Sequence, residues 1–214
     1  MSPSAPLQIF DRALVNRRLD RAWARAKTSG GADFLLARAA EELVERLSLV
    51  KRRFPLAADF GSPGPHGAAR LMAGSQVDCV LRLAPTLASM GAGAFSGAVG
   101  DLERLPAAED QFDLAVSLLA LQTVNDLPGA LIQMRRALKA DGLLMAAVLG
   151  GDTLTELRQS LTIAESEVLG GASPRVAPFV DVRALGALAQ RAGLRCRWST
   201  STARPSDTPT SSGS

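Results

Sequence analysis

The chain has 214 residues, of which 47% are hydrophobic and 21% charged, a composition typical of a folded protein with one main domain. Its net charge of +3 is too small and too mixed to indicate nucleic-acid binding. No apolar run reaches the roughly 18 residues of a membrane-spanning helix, and one His with two Cys predicts neither a metal site nor a disulfide framework. The charged segment Met1–Lys27 lacks the apolar core of a secretory signal, so we expect a cytoplasmic protein.

The first 53 residues carry a net positive charge, with eleven basic and six acidic side chains, whereas the rest of the chain has thirteen basic and fifteen acidic side chains. Apolar residues at spacings of three and four predict two amphipathic helices here. Asp33 is expected to cap the second helix, which should end before Pro55. Arg17, Arg18 and Arg21 lie on the first helix, as either a solvated face of a packing layer or a surface for an acidic partner.

Beyond Pro55 short apolar runs alternate with helical stretches. The predicted strands are Leu56–Phe60, Val77–Leu83, Phe112–Leu119 and Leu143–Leu149, with a weaker one at Ala98–Val99. Four helices are predicted in this part of the chain. The first follows Pro65, and the second starts after Pro128 and stops at Asp141-Gly142. The third covers Thr153–Leu169 and is capped by Gly150-Gly151-Asp152, and the fourth runs from Asp181 to Ala192. This alternation predicts an α/β fold with a parallel sheet, helices on its faces and a ligand beyond the carboxyl ends of the strands.

The most informative turn is Asp59–Pro65, which places an acidic residue at the end of the first strand and glycines before a helix. Glycines let backbone N–H groups approach a nucleotide-like ligand, and the helix N-terminus favours its negative groups. The alternative is a tight turn with Pro65 at the first helical position. His66, the only histidine, is expected to be a solvated or capping side chain.

Four blocks in the order Gly100–Pro106, Phe112–Ser117, Asn125–Pro128 and Leu138–Gly142 resemble those of class I S-adenosylmethionine-dependent methyltransferases. The resemblance implies a Rossmann-like sheet with helices on both faces and S-adenosyl-L-methionine as the cofactor. More narrowly, the chain resembles the bacterial relatives of the methyltransferase-like complex I assembly factor of mitochondria. The blocks that carry this likeness are Ile9–Arg12, Lys51–Pro55, Gly150–Leu154, Glu156–Arg158 and Ser173–Arg175 with Pro178-Phe179.

The resemblance implies a set of cofactor-binding positions at the ends of the strands. These are Asp59, Gly61, Gly64, Asp101, Leu102 and Ser117. Asp101 would accept from the exocyclic amine of adenine, and the Leu102 backbone N–H would donate to a ring nitrogen. Ser117 would border the methyl-donor end, where Gln122-Thr123 stands in place of the His-Trp of many relatives, and no general base is evident.

Three positions depart from the family pattern. Pro63 and Pro65 replace the later glycines of the first motif and remove backbone donors. Arg82 replaces the acidic residue that binds both ribose hydroxyls in the family. We expect Arg82 either to pair with Asp59 or Asp101 or to face an anionic ligand.

The predicted function is that of a methyltransferase-like protein. The alternative implied by the narrower resemblance is a non-catalytic assembly factor, or an arginine hydroxylase, acting on a subunit of respiratory complex I. Nucleic acid is not an expected partner. The expected location is the bacterial cytoplasm, with a peripheral place at the inner membrane as a variant of it.

The predicted organisation has three parts: an N-terminal helical extension at 1–54, a methyltransferase-like domain at 55–194, and a disordered tail at 195–214 in place of the closing strands. Ser, Thr and Pro dominate the tail. Permitted codons for Arg195–Thr202, read with one G restored before them, encode Ala-Leu-Pro-Val-Val-Asp-Val-Asp, a strand pattern. We therefore expect a frameshift close after Leu194, with a natural disordered tail as the alternative.

Overall fold

The computed structural model of the chain describes residues 8–31 and 33–195. It contains one parallel sheet in the order β3-β2-β1-β4-β5. The strands are β1 (Phe54–Phe60), β2 (Val77–Ala84), β3 (Ser96–Val99), β4 (Phe112–Leu118) and β5 (Leu138–Ala147). The strand order reverses between β1 and β4, and open α/β sheets place their ligands beyond the carboxyl ends of the strands at such a point. The predicted parallel α/β fold is confirmed, including the weaker third strand.

The described residues form six α-helices beside the sheet. They are α1 (Arg12–Ser29), α2 (Phe34–Ser48), α3 (His66–Ala73), α4 (Leu127–Ala137), α5 (Thr155–Leu169) and α6 (Val182–Arg191). Among them, α2 and α3 contribute to an apolar core on one face of the sheet, and α4 and α6 contribute to a core on the other. Every residue of β4 is buried between these layers. The prediction of helices on both faces is therefore confirmed.

The two N-terminal helices differ in how deeply they enter the core. Helix α2 buries the apolar stripe Leu36, Ala40, Leu43 and Leu47, whereas α1 has no buried residue. Because α2 shares its core with strands β1 and β4, burial of this stripe contributes to the sheet's stability. Helix α1 lies farther out, at the carboxyl edge of the sheet described below.

The boundary between α4 and β5 was predicted wrongly. The helix ends at Ala137, and Leu138 already belongs to β5, whereas the sequence indicated a helix that stops at Asp141-Gly142. Leu138 is fully buried and pairs with Phe112 across the ladder with β4. Leu138 continues the apolar spacing of the helix in the sequence but lies in the strand, because its pairing with β4 overrides the local helical pattern.

Three expected helix starts also differ from the structure. Asp33 makes no capping hydrogen bond, and its carboxylate instead meets His66 Nε2 at 2.8 Å, so His66 is neither a cap nor fully solvated. Pro65 precedes α3 rather than occupying its first position. Asp152 does not cap α5 through its side chain, since Leu154 stands at the cap position. Asp181 does cap α6, as expected, by accepting from Arg183 and Ala184 N–H groups.

Residues 196–214, nearly all of the predicted tail, lie outside the described residues. Within the described part of the chain, no helix combines the length and the apolar character needed to cross a membrane.

Candidate functional site

The loops that follow β1 and β3 meet at the carboxyl edge of the sheet. Gly61 has φ +72°, a conformation that favours glycine, and a Cβ there would lie 2.5 Å from Leu102 Cδ1. Leu102 is buried over this glycine. The first and third crossovers therefore meet, and two of the positions predicted to bind the cofactor, Gly61 and Leu102, lie side by side.

Asp59, near the end of β1, lies in a closed polar cluster. Its carboxylate pairs with Arg82 and accepts from the Ser62 hydroxyl, and all three side chains are buried. Arg82 and Asp59 are register partners in the β1–β2 ladder, so both side chains point to the same face. Of the roles considered for Arg82, the pairing with Asp59 is confirmed.

The Arg82 guanidinium also ties two loops together. Its Nη2 donates to the carbonyl oxygens of Ser62 at 2.8 Å and Ser89 at 2.9 Å, and its Nε donates to Met90 O at 3.1 Å. A buried guanidinium is tolerated only when its donors are satisfied in this way. The arginine therefore has a structural role, and it leaves no carboxylate at the end of β2 to bind a ribose.

Burial raises the pKa of the Asp59 carboxyl above its ordinary value of 3.8. The Arg82 charge, the Ser62 hydroxyl and the Ala68 N–H act in the opposite direction and are smaller in sum. The protonation of this carboxyl is thus controlled mainly by its burial.

Asp101, which follows β3, lies in a more open corner. Its Oδ1 accepts from Arg12 Nη2 at 3.0 Å and from the Glu103 N–H at 3.0 Å, and 45% of its side chain stays exposed. The neighbouring Leu102 N–H makes no hydrogen bond to any residue in the described ranges. An exposed carboxylate beside an unpartnered N–H is the donor–acceptor pair that an adenine edge requires.

Helix α1 and the residues before it cover this edge. Arg12 Nη1 donates to Thr123 O at 2.9 Å, in addition to the bond with Asp101. Asn125 Oδ1 accepts from the Ile9 and Phe10 N–H groups at 2.8 Å, and Trp23 Nε1 donates to Pro63 O at 2.7 Å. The N-terminal segment therefore contacts the loops after β1, β3 and β4 together.

Sequence reasoning missed this covering role of α1. Arg12 and Trp23 reach partners far along the chain, which leaves no local spacing to detect. The one available signal was the Ile9–Arg12 block, which carried the family resemblance. Gly64 belongs to the same contact, because a Cβ there would lie 2.7 Å from Trp23 and 2.9 Å from Leu36.

Ser117, in β4, is fully buried, and its hydroxyl has no hydrogen-bond partner among the residues that the structure describes. It lies on the sheet face opposite Asp59, next to the end of the strand. Two residues on, Leu119 has φ +52°, a conformation that is strained for a bulky side chain. Unsatisfied groups and strained backbone at a strand end are features that concentrate at functional sites.

Comparison with known proteins gives these features a family. Residues 70–146 match the model of a methyltransferase domain. The chain is 39% identical over 194 residues to the arginine-hydroxylase NDUFAF5 of Homo sapiens, covering 88% of this chain and 55% of that protein. It is 33% identical over 205 residues to the malonyl-[acyl-carrier protein] O-methyltransferase of Methylovorus sp. (strain MP688), covering 89% of this chain and 66% of that protein.

The chain belongs to the class I methyltransferase-like family. It spans little more than half the length of the NDUFAF5 relatives, 55% to 60% for those of Homo sapiens and Danio rerio. Its family uses S-adenosylmethionine as the cofactor.

Solved structures show the same fold. The methyltransferase that forms a complex with the Trm112 activator in Haloferax volcanii superimposes with a TM-score of 0.63 at 16% identity, covering 84% of this chain and 75% of that one. An S-adenosylmethionine-dependent methyltransferase of Mesorhizobium loti superimposes with a TM-score of 0.54 at 19% identity, covering 72% and 81%. The predicted Rossmann-like fold is thereby confirmed.

The residues present fit the two ends of that cofactor unequally. Asp101, the free Leu102 N–H and the glycine at 61 suit the adenine end. The ribose acceptor is absent, because Arg82 stands in its place and Asp59 is already engaged. Pro63 and Pro65 supply no N–H at the methionine end. The buried Ser117 hydroxyl near the end of β4 is a polar group left without a partner among the described residues.

Proposed function

We propose that this chain binds S-adenosylmethionine across the carboxyl edge of its sheet and acts as a methyltransferase of its family. The observation that carries the proposal is the corner where the half-exposed Asp101 carboxylate adjoins the unpartnered Leu102 N–H, against Gly61. The other cofactor positions that the resemblance implies, Asp59, Gly64 and Ser117, are buried behind this corner.

The bound cofactor would supply a methyl group on a reactive sulfonium. Positioning of the acceptor then lowers the barrier more than proton transfer does, so a site without a general base is compatible with this chemistry. Asp101 and Leu102 would orient the base, and α1 would exclude water from the edge through its contacts with three loops.

The proposed function retains the predicted division of the chain into an N-terminal helical extension and a methyltransferase-like domain. Residues 55–194 would form the catalytic domain and residues 1–54 its helical cover, with the protein in the bacterial cytoplasm or peripheral at the inner membrane. The contacts of Arg12 and Trp23 with the cleft loops support a cover that works together with the domain.

Titration calorimetry with S-adenosylmethionine tests the proposal. We expect Asp101→Ala to weaken cofactor binding about tenfold, because an acceptor for the adenine amine is lost. The matched control is Asp78→Ala: Asp78 is 46% exposed and pairs with Arg53, much as Asp101 is 45% exposed and pairs with Arg12, but it lies at the start of β2. The control should bind like the unmodified chain.

Asp101→Ala also releases Arg12, so Arg12→Ala is needed beside it. Binding that weakens in Asp101→Ala and not in Arg12→Ala assigns the effect to the carboxylate. Absence of binding at millimolar cofactor in the unmodified chain, or equal losses in Asp101→Ala and Asp78→Ala, would contradict the proposal.

A second function is favoured by the closed cluster of Asp59 and Arg82 and by the two prolines, which reduce cofactor contacts. In this alternative the chain is an assembly factor or an arginine hydroxylase that acts on a subunit of respiratory complex I, in keeping with the name of its NDUFAF5 relatives. Capture of purified complex I subunits, followed by mass spectrometry for one added oxygen atom on an arginine, tests it. Capture without cofactor binding would favour the assembly role.

A further inference from the structure

The outer face of α1 carries a stripe of basic side chains. Arg17, Arg18, Arg21 and Arg25 are all exposed, and their spacings of three and four residues place them along one side of the helix. Arg18, Arg21, Ala22 and Arg25 line a shallow depression. The inner face, with Leu19 and Trp23, is turned toward the cleft and is partly buried.

These basic groups differ from most arginines elsewhere in the structure. Arginines of α2, β2 and several loops meet carboxylates within 4.0 Å, as Arg38 and Arg46 do with Glu42. In the part of the chain that the structure describes, no carboxylate lies within that distance of Arg17, Arg18, Arg21 or Arg25. Like charges one turn apart repel and destabilise a helix, and Asp20 is the one acidic residue of α1, so this side of the helix keeps a net positive charge.

The surroundings of the stripe discriminate between kinds of anionic partner. No large apolar side chain of α1 is exposed, so the helix has no apolar face to insert into a bilayer. No aromatic side chain of α1 is exposed for stacking on bases, and the net charge of the whole chain is only +3. Guanidinium groups pair well with the carboxylates of a protein surface, two bonds at a time.

We propose that the outer face of α1, defined by Arg18, Arg21 and Arg25 with Arg17 at its side, is the docking surface for an acidic protein segment. The complementary charge is that of Asp and Glu side chains at helical or extended spacing. Because the inner face of the same helix covers the cleft, the partner would be held beside the carboxyl edge of the sheet. The docking does not depend on cofactor binding.

Fluorescence anisotropy with a short labelled peptide of Glu, Asp and Ala tests the proposal on the full chain. We expect the peptide to bind, and Arg18→Gln/Arg21→Gln/Arg25→Gln to bind it about tenfold more weakly. Replacement of the same three arginines by Lys keeps the charge but removes the bidentate geometry, so its affinity should lie between the two. Circular dichroism should show the same fold in all variants, because the three side chains are exposed.

The matched control is Arg136→Gln/Arg183→Gln/Arg191→Gln, which removes the same charge from other exposed positions. It should retain most of the binding. The proposal is overturned if the peptide does not bind, if the control loses as much affinity as the α1 variant, or if anionic phosphatidylglycerol vesicles or duplex DNA bind more tightly than the peptide at equal salt. The α1 variant should lose peptide binding and keep its affinity for S-adenosylmethionine. The two measurements therefore test the docking surface and the proposed methyltransferase function separately.

Discussion

Two aspartates at the same edge of the sheet stand in contrasting environments. Asp59 is fully buried and pairs with an equally buried Arg82, whereas Asp101 is half exposed and pairs with Arg12 from the covering helix. The first aspartate is committed to holding the loops after β1 and β2, and the second keeps capacity to accept from a ligand. At the position of the family's ribose corner the polar groups are therefore engaged within the protein, whereas at the proposed adenine corner a carboxylate stays partly exposed.

Removing the buried arginine should have the largest effect. Arg82→Met leaves Asp59 in the interior without its compensating charge, and we expect a loss of about 3–5 kcal/mol in the free energy of unfolding, measured with urea. The control Arg53→Met breaks the exposed pair with Asp78 and should cost less than about 1 kcal/mol. Recovery of part of the loss in Asp59→Asn/Arg82→Met would confirm the uncompensated charge as the cause. Similar losses in Arg82→Met and Arg53→Met would remove the distinction between the corners.

The pH dependence of stability gives a second way to test the closed corner. The folded-state pKa of Asp59 is raised above 3.8, so protonation of this carboxyl stabilises the folded state. That contribution to the free energy of unfolding is fully present below pH 3.8 and is lost as the pH rises through the folded-state pKa. The corresponding decline in unfolding free energy should be absent in Asp59→Asn. If the free energy of unfolding depends on pH in the same way in the unmodified protein and in Asp59→Asn, burial does not raise the pKa of this carboxyl.

A smaller effect is expected at the open corner. Arg12→Ala removes the bonds to Thr123 and Asp101, and should cost about 1 kcal/mol of unfolding free energy. Its clearer consequence is faster trypsin cleavage after the arginines of α1, since the helix loses an anchor to two loops. Arg38→Ala, which removes an exposed pair within α2, is the control and should leave that cleavage rate unchanged. Equal cleavage rates in all three proteins would mean that Arg12 does not hold α1 in place.

The sequence predicted the sheet well because its strands are buried apolar runs, as in β4, and such runs are legible without knowledge of the fold. Pairing of Arg82 with Asp59 was one of the predicted alternatives, and the parallel register of β1 and β2 places these two residues side by side. It predicted capping by Asp33 and Asp152 wrongly, because a carboxylate near a helix start can instead meet a distant group such as His66.

The covering role of α1 was beyond local patterns. The contact of Trp23 with Pro63 and that of Arg12 with Thr123 join residues that are separated by long stretches of chain. Periodicity identifies the inner face of an amphipathic helix, but not the surface on which it lies. The unpartnered Leu102 N–H and Ser117 hydroxyl likewise become visible only when every neighbour is placed.

An adenosine-bearing ligand is proposed to lie at the corner of Gly61, Asp101 and Leu102. Amide NMR spectra recorded during titration with S-adenosylmethionine address it directly, because the free Leu102 N–H would gain a hydrogen bond. We predict saturable shifts of the Leu102 and Gly61 amide signals, both lost in Asp101→Ala. Unshifted signals at millimolar cofactor, or shifts confined to the distant depression between α5 and residues 172–176, would contradict the account.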